Sequence, residues 1–294
     1  MATFRFNPAD LHRLNRLVFL PRVVSMEHGE GMRRSRRSGD GSEFLDFRPY
    51  IAGDDVRRVD WSLYGRLRQL FVRITESPRQ LSVTLLVDAS RSMGFGSPVT
   101  KLEQAQRIAC ALAFIAMRGG DRVFAASFGD SVNRGVGPLR GAQGLAGLVR
   151  FLQTLEAGGT SNLGAALNFV RASRQDRGLV VVLSDLLNVA DRDRTLAGFT
   201  AAGGTLLAVQ VLDPIDRGEG LSGKVRLRDS ESGRMVDVDL DDAGIAGFRR
   251  AFEAQRERLE SICTGRKRHY VLAWTRDSYL SVVCDALRAR GVLR

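Results

Sequence analysis

The sequence predicts an α/β chain: a doubly wound, mostly parallel sheet with an N-terminal accessory segment and a β-hairpin insertion. From residue 81 to the end of the chain, short apolar, β-branched runs alternate with stretches of helical periodicity. Two of those runs, Leu81 to Val87 and Leu179 to Ser184, are apolar toward both faces and lead into polar loops at Asp88 and Asp185. Strands with that composition are covered on both sides, as parallel strands are. One stretch, Lys224 to Leu240, instead alternates apolar and polar residues across a Ser230–Gly233 turn and predicts a hairpin.

The chain opens with a predicted helix over Pro8 to Leu20, ended by Pro21, and then a basic, glycine-rich linker, HGEGMRRSRRSGDGS. Glu43 to Glu76 is dense in Arg, Asp and aromatic residues and has no long apolar run. Gly53-Asp54-Asp55 is a turn signal, and Arg48, Asp54, Asp55, Arg57, Asp60 and Arg66 read as an internally paired charge network. Gln69 to Thr75 alternates and predicts a strand. Residues 1–80 form the expected accessory region, and residues 81–294 the main domain, with the hairpin inserted at about 220–240.

In the main domain, Val83, Leu85 and Val87 face one side of the sheet, and Thr84 and Leu86 the other. A helix over Lys101 to Met117 follows, stopped by Gly119-Gly120, then a strand over Arg122 to Phe128 and a short edge strand over Ser131 to Val136. Ala142 to Leu155 is helical, Glu156 to Thr160 is a loop, and Asn162 caps a helix that runs to Arg174. After the strand Leu179 to Ser184 come a helix (Arg194 to Ala202), a strand (Thr205 to Leu212) and the hairpin. A long helix (Asp242 to Cys263), a strand (His269 to Trp274) and a closing helix (Ser278 to Arg290) complete the pattern.

With 294 residues, 44% of them hydrophobic, the chain can bury one large core or two moderate ones. A charged fraction of 26% excludes disorder as the overall state. The formal charge of +11 has its excess in residues 1–80 and 246–294. Basic surfaces attract nucleic acid, acidic partners or anionic membranes. Here acids are interspersed through both ends, and the aromatic-plus-basic interleaving of single-strand binders is missing, so nucleic acid is not the expected partner. Cys110, Cys263 and Cys284 are odd in number, widely spaced and set among apolar neighbours. That pattern argues against a disulfide framework or a zinc site and for a reducing compartment. The basic amphipathic stretch LHRLNRLVFLPRVV is too short and too charged to span a bilayer. No signal peptide pattern is present, so the expected location is cytoplasmic, without a membrane span.

In an open α/β sheet, ligands bind at the carboxyl ends of the strands. Three predicted loops there offer oxygen ligands: Asp88, Ser90 and Ser92 from the first, Thr160 within Gly158-Gly159-Thr160-Ser161-Asn162, and Asp185 from the third. Carboxylates and hydroxyls are hard donors, suited to Mg²⁺ or Mn²⁺ and poorly suited to zinc. The histidines His12, His28 and His269 lie outside these loops. G-x-S-x-G, P-loop and H-E-x-x-H patterns are missing, and no G-x-G-x-x-G dinucleotide fingerprint, with its strand before and helix after, is present. Without a positioned base or nucleophile, the expected function is not enzymatic.

The D-x-S-x-S loop, the G-G-T-S loop and the later strand ending in aspartate together resemble the von Willebrand factor type A domain with its metal-ion-dependent adhesion site. That resemblance implies a Rossmann-like fold and one Mg²⁺ (or Mn²⁺ or Ca²⁺) ion. Ser90, Ser92 and Thr160 would be ligands, and Asp88 and Asp185 would act directly or through bound waters. An open coordination place would take an acidic side chain from a protein partner. Upstream, Phe44, Arg48-Pro49-Tyr50, Gly53-Asp54-Asp55, Arg57, Asp60-Trp61 and Arg66 are similar to the bacterial family known as domain of unknown function 58. The likeness extends from about Gly39 to the end of the chain, with small departures at Gly65 and Ser77-Pro78. It implies a chaperone-like, metal-dependent adaptor working beside a MoxR-type AAA+ ATPase, in the short branch of the family that lacks two membrane helices. Two alternatives stay open. One is a divalent-metal hydrolase (phosphoesterase or nuclease) in which Asp54, Asp55 and Asp60 fold back toward the ion. The other is nucleic-acid binding through the Arg-rich ends.

Overall fold

The chain falls into two units, residues 27–80 and the remainder. The structure is a computed structural model that describes residues 7–20, 43–76, 81–132, 135–173, 178–187, 191–201, 204–229, 233–265 and 267–294. Helix α1 (Pro8–Leu14), capped by Asn7, is shorter than its sequence pattern. The reason lies in the residues that follow it. Val18 and Leu20 give their backbone groups to the other end of the chain, in the Val18–Arg294 pair (3.1 and 3.0 Å) and the bond from Leu20 to Val292 (3.0 Å). Leu14 and Leu17 are buried in the main core, and the Tyr279 hydroxyl donates to Asp10 at 2.6 Å. Residues 7–20, expected in the accessory region, therefore belong to the larger unit.

The smaller unit pairs β1 (Glu43–Pro49) antiparallel with β2 (Phe71–Glu76), with α2 (Trp61–Leu67) between them. The sequence pattern showed β2 but not β1 or α2. Its charges have local duties. Arg48 holds Asp54 through two bonds of 2.6 and 2.5 Å, and Asp54 also accepts from the Ile51 amide at 2.9 Å. The Asp54 carboxyl is drawn down to about 2, mainly by its bonds to Arg48. Asp55 accepts from the Arg57 amide at 3.0 Å, and Asp60 caps α2 through the Leu63 amide at 3.0 Å. The basic linker expected over residues 28–42 lies outside the described residues.

The larger unit is organised by a six-stranded sheet whose members, in chain order, are β3 (Ser82–Asp88), β4 (Arg122–Phe128), β5 (Val136–Leu139), β6 (Leu179–Ser184), β7 (Thr205–Leu212) and β10 (Arg268–Trp274). A separate hairpin, β8 (Gly223–Arg228) with β9 (Met235–Leu240), lies between β7 and β10 in sequence. The spatial order is β10-β7-β6-β3-β4-β5, parallel except for β5, which runs antiparallel to β4. The edge strand falls later than the Ser131–Val136 stretch that predicted it. It contains Gly137 and Pro138, which read as turn residues in sequence, but an edge strand tolerates a proline because its outer side makes no ladder bonds.

Every residue of β3, β6 and β7 is buried, which accounts for their apolar character on both faces. Val83, Leu85 and Val87 pack in one layer with α3 (Lys101–Arg118), α4 (Gly141–Gln153), α1 and the closing helix. Leu86 packs in the other layer with α5 (Leu163–Ala172), α6 (Arg192–Ala201) and α7 (Asp242–Ile262). The closing helix, predicted as one run, has a π turn at Val282–Ala286 between Tyr279–Ser281 and Leu287–Ala289. Helix α3 begins at a reciprocal cap, with Thr100 accepting from the Glu103 amide at 3.1 Å and Glu103 accepting from the Thr100 amide at 3.2 Å. From β3 the chain winds through α3 to β4 on one side, then returns to β6 on the other side of β3. The carboxyl ends of β3 and β6 thus flank the point where winding reverses, the place where open α/β sheets leave a crevice. The three cysteines are free and buried, and burial pushes the Cys110 and Cys263 thiols up to about 12. Among the described residues, no helix is long and apolar enough to cross a membrane.

Candidate metal centre

Asp88 ends β3, and its side chain is fully buried. One carboxylate oxygen accepts from the Ser90 amide at 2.8 Å. The other accepts from two hydroxyls, Ser161 at 2.7 Å and Ser184 at 2.6 Å. Burial and the nearby Asp185 charge push the Asp88 carboxyl above its ordinary range, against the pull of those three donors. Because Ser161 and Ser184 spend their protons on Asp88, their oxygens keep lone pairs for other partners.

The loop after Asp88 is held in place by the backbone of the Gly158–Asn162 loop. Gly158 donates to the Ala89 carbonyl at 2.8 Å, and Arg91 donates to the Gly159 carbonyl at 3.1 Å. Gly159 is the residue this junction requires: its φ is +68°, and a Cβ there would lie 2.4 Å from a carboxylate oxygen of Asp130. On this frame the Ser90 and Ser92 hydroxyls stand 3.1 Å apart. Adjacent corners of an octahedron with metal–oxygen distances of about 2.0–2.1 Å are roughly 3 Å apart, so the pair has the spacing of two neighbouring ligands on Mg²⁺ or Mn²⁺.

Thr160, expected at the ion, has its hydroxyl engaged by Asp130. Its hydroxyl donates to Asp130 at 2.5 Å and its amide to the same oxygen at 2.8 Å, and together they hold the Asp130 carboxyl below its usual range. The hydroxyl that this loop brings to Asp88 comes from Ser161, one residue later. Two adjacent hydroxyl residues left this register ambiguous in sequence.

Asp185 follows β6 and is buried, but it is bound to a cation of the protein's own. Lys101, the first residue of α3, sets its ammonium 2.8 Å from Asp185 and 3.2 Å from Asp216, with only 2% of its side chain exposed. Burial works against the lysine's charge, but the two carboxylates outweigh it and hold its pKa above the usual range. Asp216 is itself raised by burial, in spite of Lys101. The Asp185 carbonyl accepts from Gln210 at 2.8 Å, and Gln210 is fixed in turn by the Tyr270 hydroxyl at 2.6 Å. Sequence reasoning missed Lys101, Ser161, Ser184 and Asp216. Ser184 carried a signal, as the polar residue at the end of an otherwise apolar strand.

The donor set fits a hard divalent ion in part. Ser90, Ser92 and Ser161 surround a buried carboxylate that takes no ion pair among the described residues. Three or more His, Cys, Asp or Glu side chains come together nowhere among the described residues in a way that could hold an ion, so an ion here would depend on hydroxyls. The acids of the hydrolase alternative are otherwise engaged: Asp54 on Arg48, Asp55 on the Arg57 amide and Asp60 on α2. On the basic C-terminal stretch, Arg256, Arg258, Arg276 and Arg290 each face an acid: Glu253 and Glu260, Asp193, Glu219, and Glu260. That pairing weakens the nucleic-acid alternative.

A family model described as "Protein of unknown function DUF58" matches residues 46–261. An uncharacterized protein of Mycobacterium bovis is 34% identical over 222 residues, covering 74% of this chain and 70% of the relative. Two solved structures are similar at lower identity. An aerotolerance-related membrane protein from Bacteroides fragilis has 18% identity and a TM-score of 0.44, covering 72% of this chain and 98% of that one. The protein BatB from Bacteroides thetaiotaomicron has 15% identity and a TM-score of 0.45, covering 71% and 98%.

Proposed function

The chain belongs to the DUF58 family of proteins of unknown function, and from that premise we propose that it is a divalent-metal-dependent, non-enzymatic protein-binding adaptor. The observation that carries this reading is the pair of hydroxyls on Ser90 and Ser92, 3.1 Å apart beside the buried Asp88 carboxylate at the reversal point of the sheet. Ser90 and Ser92 would hold the ion directly, Ser161 would supply the third hydroxyl in place of Thr160, and Asp88 would balance its charge, with Asp185, already paired to Lys101, acting through a bound water. When bound, Mg²⁺ or Mn²⁺ supplies a coordination place for a partner's carboxylate. The likeness of these loops to the metal-ion-dependent adhesion site of von Willebrand factor type A domains supports the roles of Ser90, Ser92, Asp88 and Asp185, and implies Thr160 as the third hydroxyl where the geometry favours Ser161.

A non-enzymatic role is supported by how the two carboxylates are used. Asp88 is engaged by three donors and Asp185 by Lys101, so neither is placed to take a proton from a substrate. The partner we propose, from the family resemblance, is a MoxR-type AAA+ ATPase in the cytoplasm, with the chain acting in assembly or activation of other protein complexes.

The test uses the purified chain with its cognate ATPase, in Mg²⁺ and in EDTA. Capture should occur in Mg²⁺, fail in EDTA, and fail with Ser90→Ala while the melting temperature of that variant stays near wild type. Binding of Mn²⁺, read by electron paramagnetic resonance, should weaken in the same variant. Capture that persists unchanged in EDTA overturns the reading.

A further inference from the structure

Beside the Asp88 cluster, and sharing Ser161 and Ser184 with it, a cleft of about 560 Å³ opens between the first turn of α5 and the start of α6. That volume is in the range of sites that enclose a small ligand or a few side chains. Its walls carry three guanidinium groups, Arg171, Arg192 and Arg194, against the carboxylate of Asp191 among the residues that line it. A second acid nearby, Asp193, is shared by Arg192 at 3.1 Å and Arg258 at 2.9 Å.

Arg192 is the most informative of the three. Its side chain is only 3% exposed, and its Nη1 donates to the Leu186 carbonyl at 2.8 Å. Leu186 has φ +52°, a strained conformation for a leucine, so this contact is held at some cost. Yet Nη2 of Arg192 is buried and has no hydrogen-bond partner. A charged donor left buried and unsatisfied carries the desolvation penalty of its charge with no bond to offset it. Closed to solvent, that atom adds charge to the cleft wall, while the exposed guanidiniums of Arg171 and Arg194 are the forked donors that an entering oxyanion meets.

We propose that this cleft binds a carboxylate of an acidic peptide segment, the neighbour in sequence of the acid that the partner offers at the Asp88 cluster. The proposal rests on the protein-binding reading above and names the chemistry of the partner: a stretch with two or more Asp or Glu residues. Two sites that share Ser161 and Ser184 are close enough for one short segment to reach both. The excess of guanidinium over carboxylate supplies the charge complementarity.

The experiment follows fluorescence anisotropy of a labelled oligoglutamate peptide titrated with the full chain. Arg171→Gln and Arg194→Gln, both at partly or fully exposed positions, should each weaken binding by about three- to tenfold, the range of a charge-assisted contact near the surface. Arg150→Gln, which removes the same charge from exposed α4, should change it less than about twofold. Arg192 is kept, since losing its bond to Leu186 could disturb the fold. If both cleft variants bind as wild type, or Arg150→Gln loses as much as they do, the proposal fails. Tighter binding of a phosphoserine peptide, or displacement by inorganic phosphate more readily than by free glutamate peptide, also overturns it in favour of a phosphate site. Repeating the titration in EDTA separates the two readings. Chelation that abolishes binding while the arginine variants match wild type retains the ion and removes the cleft. Weakened variants with no effect of EDTA do the reverse.

Discussion

Lys101→Met is the substitution that most directly probes the buried charge at the ends of β3 and β6. Methionine keeps most of the lysine's apolar stem, so packing around the first turn of α3 changes little. What is lost is an ammonium 2.8 Å from Asp185 and 3.2 Å from Asp216, with 2% of the lysine side chain exposed. An exposed pair would be worth less than about 1 kcal/mol, but breaking a buried pair costs about 3–5 kcal/mol because the remaining charge has no partner. Asp216 limits the cost. Its carboxyl is already raised by burial against the pull of Lys101, and without that pull it rises further and takes up a proton more readily. The low end, about 3 kcal/mol, is therefore expected at neutral pH. At about 2–4 °C per kcal/mol for a domain of this size, that lowers the melting temperature by roughly 6–12 °C. The sign with pH follows. A carboxyl whose folded pKa lies above its unfolded value binds more protons in the native state between the two, so stability rises as pH falls through that window. The deficit of the variant against wild type should narrow from pH 8 toward pH 5, measured by urea unfolding of both proteins followed by circular dichroism. A deficit below about 1 kcal/mol at pH 8, or one that widens on acidification, would refute the assignment of Lys101 as the internal cation.

Gly159→Ala should destabilise the larger unit by about 1–3 kcal/mol, since φ is +68° and the added Cβ would meet the Asp130 carboxylate at 2.4 Å; an unfolding midpoint equal to wild type contradicts the packing of that loop. In the smaller unit, nuclear magnetic resonance should place the Asp54 titration at about 2, so its pair with Arg48 holds above the ordinary carboxylate range and is lost only as pH falls through that value. With Arg48→Gln the midpoint should return toward about 3.9, and a wild-type midpoint already there would remove the pair.

The apolar runs made the sheet legible. β3, β6 and β7 are buried on both faces, and only residues such as Val83, Leu85 and Leu86 can fill such strands, so their positions along the chain followed from composition. β1 and α2 were not legible because Asp46, Arg48 and Trp61 break the expected periodicities; β1 is held by pairing with the distant β2 and α2 by its Asp60 cap, which leave a weaker trace. The end of α1 was misplaced for a non-local reason, since Val18 and Leu20 pair with residues at the far end of the chain. The candidate site divides in the same way. Asp88, Ser90 and Ser92 lie within one loop, and spacing alone brought them together. Choosing between Thr160 and Ser161 depends on which hydroxyl the Gly159 turn directs at Asp88, and the pairing of Lys101 with Asp185 spans 84 positions.

That pairing changes what the candidate centre needs from an ion. Read as five oxygen ligands, the site holds two unbalanced carboxylates, and a divalent cation would be needed to stabilise both. With Lys101 on Asp185, half of that demand is met by the protein, and only Asp88 is left with hydroxyl and amide donors in place of a cation. A centre of mainly neutral ligands attracts Mg²⁺ weakly, because the ion gives up water reluctantly and few charges draw it in. If a partner's carboxylate supplies the missing charge, thermodynamic linkage requires that ion and partner raise each other's affinity by the same factor. Lys101 would then tune the site, keeping it sparsely loaded until an acidic segment arrives. The same logic makes the arginine cleft beside it useful, since a segment already held by Arg171 and Arg194 presents its next carboxylate at high local concentration.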